Sequence, residues 1–289
     1  MKKRIVFLLL IFLSFWGGFL LQKPLFMLYN GAIGKGTALT DYFRVLYHGA
    51  SLDAATAGYL TAIPWLIILI SFWLKRIPLR KILGGYYLLI ALIVSCIGIA
   101  DMSLYPFWGF KLDASIFQYL DSPKNAMASV SAGFIALRIV FILILAALLS
   151  LWWFAVTPKK LEAARQRLAG TGLTLLLGGV LFIIIRGGVT ESTSNIGQAY
   201  FCNDEFLNHS AVNPAFSLLA SAGKTQKYEE MFDFFPEEER KALFEGLYPT
   251  QGENTVELLN TRRPNILVIL MEGFGGVFVE PLGGLPDVS

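Results

Sequence analysis

Five uninterrupted apolar stretches decide what this chain can fold into. They run at about Ile5–Leu21, Ala57–Leu74, Ile82–Ala100, Ser131–Val156 and Leu168–Ile185. Each approaches the ~20 residues that a helix rising ~1.5 Å per residue needs to cross the hydrocarbon core. Composition agrees: of the 289 residues 55% are hydrophobic and 16% charged, where soluble domains carry ~25% charge. The chain reads as an integral membrane protein with five spans. Its start, Met1-Lys2-Lys3-Arg4 before an apolar run, has the form of a signal peptide. The bulky Gln22-Lys23-Pro24-Leu25-Phe26 that follows offers no small-x-small cleavage site, so this segment reads as an uncleaved first span.

Basic residues set the expected orientation. Lys2, Lys3 and Arg4, then Lys75, Arg76, Arg80 and Lys81, then Lys159, Lys160, Arg165 and Arg167 all fall on one side of a five-span chain. The positive-inside rule makes that side cytoplasmic. The N-terminus is then inside, everything after Arg186 is extracytoplasmic, and the expected location is the plasma or inner membrane. Trp73, Trp152 and Trp153 near the inner ends, with Trp16, Tyr105 and Trp108 near the outer ends, suit anchoring at the interfaces. The net charge of +3 is too small and too scattered to suggest nucleic-acid binding, and no nucleic-acid partner is expected. Cys96 lies in an apolar run and Cys202 in a polar one, a spacing that fits neither a disulfide nor a metal site. His48 and His209 are far apart and in no ligand pattern.

Within the spans, Arg138 is the polar residue that stands out, and Pro64 marks a kink. Arg138 sits near the outer end of span four, where snorkelling or a structural pair competes with a functional role. The stretch Asp101–Asp113 between spans three and four mixes aromatics, turn formers and both signs of charge. It reads as an interfacial or re-entrant loop, with presentation of a lipid headgroup as the alternative. No internal repeat of the kind that builds transporters is visible.

After Arg186 the composition turns polar, which marks a boundary. Asn213-Pro214 through Ala222 reads as a short helix with Asn as N-cap, Pro at the first position and Gly223 as stop. A second helix is expected from Pro236 through Glu237, Glu238 and Glu239 to Glu245, its acidic start suited to the helix dipole. Asn208-His209-Ser210 is a formal glycosylation sequon.

The end of the chain carries the most specific signal: Arg263-Pro264-Asn265-Ile266-Leu267-Val268-Ile269-Leu270-Met271-Glu272-Gly273. A non-alternating apolar run of this length suits a strand buried on both faces. Its carboxylate emerges at the carboxyl end, where open α/β sheets bind ligands. This segment resembles the first strand of the alkaline phosphatase/sulfatase superfamily, and within it the lipoteichoic acid synthase-like branch of phosphoglycerol transferases. The loop after the third span and the connector Ala199–Pro214 are also similar to that branch, more loosely. The branch usually has Ser after the Glu, where this chain has Gly273. The resemblance makes Glu272 a ligand of a divalent metal (Mn, Mg or Zn). It further implies a phospholipid headgroup donor and an extracytoplasmic glycan or polymer acceptor.

The fold class expected is mainly α: a five-helix membrane domain over 1–186, an extracytoplasmic helical linker over 187–261, and the first strand of an α/β alkaline phosphatase-like domain over 262–289. About seventeen residues after Glu272 cannot bury a core of their own, so the chain is expected to be a fragment. No catalytic residue is assigned within it, since the Thr or Ser nucleophile would lie beyond Ser289, and the 289-residue chain is expected to be inactive alone. Gly275-Gly276 and Gly283-Gly284 read as turns rather than a phosphate loop. Two other readings stay open. One is a sulfatase or a phosphoethanolamine transferase of the same superfamily, although the Gly-Glu-Thr-Ala-Arg of the latter is absent. The other is a non-enzymatic membrane scaffold.

Overall fold

A computed structural model describes residues 1–31, 36–74, 77–120, 130–162, 166–222 and 234–247, with isolated positions at 267, 275–276, 279–280 and 283–286. The chain divides into two compact units, residues 1–226 and 227–289. Five helices of the first unit are long and apolar enough to cross a membrane: α1 (Lys2–Tyr29), α2 (Leu39–Ile70), α3 (Leu79–Trp108), α5 (Ala132–Val156) and α6 (Arg167–Arg186). Between α3 and α5 lies the single-turn α4 (Ile116–Leu120). After α6 come a 3-10 turn at Ile196–Ala199, then α7 (Glu205–Ala211) and α8 (Pro214–Ala222). The second unit contributes α9 (Glu237–Leu247). No strand occurs among the described residues. Of the expected strand 266–271 only Leu267 is described, and Glu272 lies outside the described residues.

The five spans form, and the helices overrun the apolar windows. With 32 residues, α2 is roughly 48 Å long at the usual rise, so about a third of it extends past a ~30 Å hydrocarbon core. The expected loop from Asp101 is instead helical to Trp108. A chain leaving the bilayer gains nothing by breaking its backbone hydrogen bonds, and α3 continues until Gly109 stops it. Gly109 takes the left-handed conformation (φ 71°), and its N–H donates to the Tyr105 carbonyl.

Contacts between helix ends sort the bundle into two poles. At one pole Arg4 Nε donates to Ser71 Oγ (2.9 Å), Arg80 Nη2 donates to the Thr157 carbonyl (3.0 Å), and Lys3 pairs with Glu162. The basic segments grouped by sequence therefore do converge. At the other pole Asn30 Nδ2 donates to the Met102 carbonyl (3.4 Å), and Arg138 reaches Ser103 Oγ (3.2 Å) and the Tyr29 hydroxyl.

An aromatic core holds the middle together. Phe15 meets Trp153 edge-on with centroids 4.7 Å apart, and Tyr87 packs against both. The Tyr87 hydroxyl is hydrogen-bonded to Thr157 Oγ1 (3.1 Å), as a buried phenol requires. Helices α5 and α6 bury only a narrow stripe and expose Ile139, Leu143, Leu148, Leu176 and Phe182. Such apolar outer faces suit lipid rather than water.

Candidate functional site

The described connector residues, 187–222, do not hang free: they are fastened to the pole formed by the end of α1, the start of α2 and the end of α3. Two local signals shape them. Asp204 caps α7 by accepting from Leu207 N–H (3.2 Å), and Asn213 caps α8 by accepting from Phe216 N–H (3.0 Å). The second cap is the one expected from Asn213-Pro214. Apolar residues Phe206, Leu207, Ala211 and Val212 then pack with Phe26, Val45, Leu52, Met102 and Tyr105.

Beneath this apolar seal lies a buried charge cluster. Lys23 Nζ donates to Asp53 Oδ1 (2.8 Å), with side-chain exposures of 3% and 0%. The same oxygen accepts from Asn213 Nδ2 (2.8 Å), which ties α1, α2 and the α8 cap to one carboxylate. Asp53 Oδ2 has no hydrogen-bond partner among the described residues. A second buried pair joins Lys111 to Asp101, whose other oxygen accepts from Leu112 N–H (3.0 Å). Lys111 also lies over the Phe26 ring at 3.8 Å. Burial pulls the Lys111 ammonium below its usual pKa, and Asp101 opposes that pull.

This arrangement shows how the charges of two segments singled out in the sequence are held. Asp101 and Lys111 are spent on each other inside the protein, so this stretch does not present them to a lipid headgroup. Arg138, placed over Phe134 at 3.7 Å and bonded to Ser103 and Tyr29, fastens α5 to its neighbours. The sequon asparagine is equally committed. Asn208 is buried, accepts from Phe201 N–H (2.8 Å) and donates to the Cys202 carbonyl (2.6 Å), so in the folded chain its side chain ties α7 to the segment before it.

Size separates structural from functional space at this pole. The cavity between Gln22, Lys23, Asp101, Lys111 and Ser210 holds about 10 Å³, room for roughly one water. It admits no headgroup, and the cluster reads as a fastening. Nearby, a cavity of about 430 Å³ opens between α2, α6 and the connector, lined by Tyr59, Phe182, Arg186, Ser194 and Phe216. That is within the usual range for ligand sites. Arg186 reaches it while donating to the Gly188 carbonyl (3.0 Å), and Gly187 turns the chain there with φ 92°.

Two tests of the fastening follow. A Cβ on Gly49 of α2 would lie 2.2 Å from the Ala211 carbonyl oxygen and 2.3 Å from Lys23 Cε. Gly49→Ala is therefore expected to cost about 1–3 kcal/mol by overpacking and to raise protease sensitivity within 187–222. Gly85→Ala, with no atom within 4 Å of the new Cβ, should be neutral in the same thermal-unfolding and proteolysis assays.

The second test is pH. The Tyr105 hydroxyl and His209 Nδ1 lie 3.0 Å apart. Burial, and then the nearby Lys111, hold the His209 pKa below its usual value, while Glu205 and Asp101 oppose this. The unfolded chain therefore binds this proton more tightly. The stabilisation is complete above the ordinary imidazole value of ~6.5 and is lost as pH falls through the lower folded value. Protection factors of 205–211, taken relative to the intrinsic exchange rate at each pH, should fall on acidification in that window. His209→Gln should flatten the dependence, and an unchanged slope would remove His209 from the account.

No group of three or more His, Cys, Asp and Glu able to hold a metal occurs among the described residues. No family model matches the chain, and no solved structure gives a significant match.

Proposed function

We propose that this chain mounts on the membrane a metal-dependent enzyme of the sulfatase superfamily. The enzyme transfers phosphoglycerol, or a similar phospholipid headgroup, to an extracytoplasmic glycan or polymer. The observation that carries this reading is the segment Arg263–Glu272, an apolar strand pattern ending in a carboxylate, placed after five spans and a helical connector. The positive-inside rule puts the basic pole in the cytoplasm and the connector pole at the outer leaflet, where the lipid donor would be met.

The fastened connector supports this reading, since it brings the chain out of the bundle at a defined point of that pole. The 430 Å³ cavity at that pole supports it too. Arg186 is the cation in its lining, held by the carbonyls of Gly188, Thr190 and Glu191 with part of its guanidinium left for a phosphate, while Phe182 and Phe216 give an apolar wall for an acyl chain. A divalent metal held with Glu272 would act as a Lewis acid on the transferred phosphoryl group.

The test is release of a labelled headgroup from fluorescent phosphatidylglycerol by the full-length protein in vesicles. Activity is expected to vanish with a chelator and return with Mn, Mg or Zn. Turnover lost in Arg186→Gln and regained in Arg186→Lys, which keeps a cation there without the guanidinium's hold on the turn, would point to the outer cavity as the place of the donor. If no lipid showed metal-dependent turnover, the enzyme reading would fail and a scaffold role would take its place.

A further inference from the structure

At the opposite pole the bundle carries a second ligand-sized cavity, of about 470 Å³, between the start of α1, the segment after α2, the start of α3 and the segment after α5. Its walls hold five cations, Arg4, Arg80, Lys81, Lys159 and Lys160, against one carboxylate, Glu162. That carboxylate is already paired with Lys3. We propose that this cavity binds the phosphate group of an anionic ligand, either an anionic lipid of the adjoining leaflet or a free phosphate compound.

The two arginines are held in place before any ligand arrives. Arg4 is buried, stacked on Phe72 with its guanidinium carbon 4.8 Å from the ring centre, and fixed by Ser71 through Nε and Nη2. Arg80 lies over Phe154 at 4.7 Å and gives Nε and Nη2 to the Thr157 carbonyl. A guanidinium carries five N–H donors. Each arginine therefore keeps about three for a ligand, in a planar fork suited to phosphate oxygens.

The lysines differ from the arginines. Among the described residues Lys81, Lys159 and Lys160 enter no ion pair. Three uncompensated ammonium groups around one cavity repel each other and gain by sharing an anion. Leu74 and Ile77 add an apolar wall to the same cavity, and Trp73 beside it donates to Thr171 Oγ1 (3.1 Å). Cations beside apolar side chains match an amphiphile whose charged end is phosphate. Basic pockets between helices at a membrane surface are a known setting for such headgroups.

The experiment uses the full chain in nanodiscs of phosphatidylcholine, with or without phosphatidylglycerol. Retained lipid is read by native mass spectrometry and stability by thermal unfolding. The wild type should retain phosphatidylglycerol and be stabilised by it. The variant K81Q/K159Q/K160Q should lose both effects while keeping its helical circular dichroism and its stability in phosphatidylcholine alone. A control variant, K2Q/R167Q, removes two cations that do not line the cavity and should keep both effects. In phosphatidylcholine nanodiscs, added inorganic phosphate or glycerol 3-phosphate separates the sources. Stabilisation of the wild type but not the triple variant there identifies a soluble anion, and its absence identifies the lipid. Retention of phosphatidylglycerol by the triple variant, or equal loss in the control variant, would overturn the proposal.

Discussion

Replacing Asp53 by Ala is expected to destabilise the membrane domain by about 3–5 kcal/mol, the usual cost of leaving one member of a buried ion pair without its partner. Lys23 would stay in place at 3% exposure with its 2.8 Å acceptor gone. Asn213 would lose the acceptor of its Nδ2 at the same stroke, so the α8 cap would come loose from α2. Helix content should fall little, since the five spans keep their aromatic core. The change should appear as a lower unfolding temperature in micelles and as new protease cuts within 187–222. A pair of substitutions keeps this from being a trivial loss of fold. In Lys23→Met/Asp53→Leu both charges leave together, and such replacements of buried pairs are often neutral or better. Recovery in the double variant would show that the penalty comes from an orphaned charge. Wild-type stability in Asp53→Ala would mean that the pair fastens nothing.

How much of this could be read in the sequence depends on the length scale of the signal. Five spans were legible because each is a run of near-continuous apolar residues, which lipid demands. The same criterion hid the cluster that holds the connector. Windows ending at Leu21 and starting at Ala57 stop just short of Lys23 and of Asp53. The charges were thus set outside the spans, and Arg138 drew the attention instead. Yet Lys23 lies inside α1 and Asp53 inside α2, because helices run on where their polar residues find partners.

The partnership itself joins positions 30 residues apart, and Asn213 is 160 residues from Asp53. No local period encodes such contacts. By contrast the Asn213-Pro214 helix start is a local chemical rule and was legible. The continuous α3 past Asp101 was missed for the opposite reason. Pro106 and Gly109 looked like turn formers, but the Met102 carbonyl that Pro106 leaves without its helical donor accepts from Asn30 Nδ2, and the Asp101–Lys111 pair holds the same helix end. For Glu272 the sequence offers an expectation through resemblance alone, since a lone carboxylate after an apolar run has no metal-ligand spacing of its own, and the residue lies outside the described ones.

On the proposed function, with Glu272 as a ligand of the metal, Glu272→Ala is the decisive substitution. In the full-length protein it is expected to reduce metal-dependent headgroup release by at least ~100-fold, since even residues that merely orient metal ligands typically contribute 10–100-fold. The manner of the loss matters as much as its size. A missing ligand weakens the hold on the metal, so part of the activity should return as Mn, Mg or Zn is raised. Glu272→Asp should lie between the wild type and Ala. Thermal unfolding of the membrane domain and the protease pattern of 187–222 should match the wild type, because the fastening is made by Lys23, Asp53 and Asn213 among themselves. Asp53→Ala gives the opposite signature, with lost stability and no rescue by metal. Full activity in Glu272→Ala would remove this residue from the chemistry and leave the strand pattern without the role its resemblance implies. Equal loss of activity and stability in both variants would instead make position 272 part of the fold.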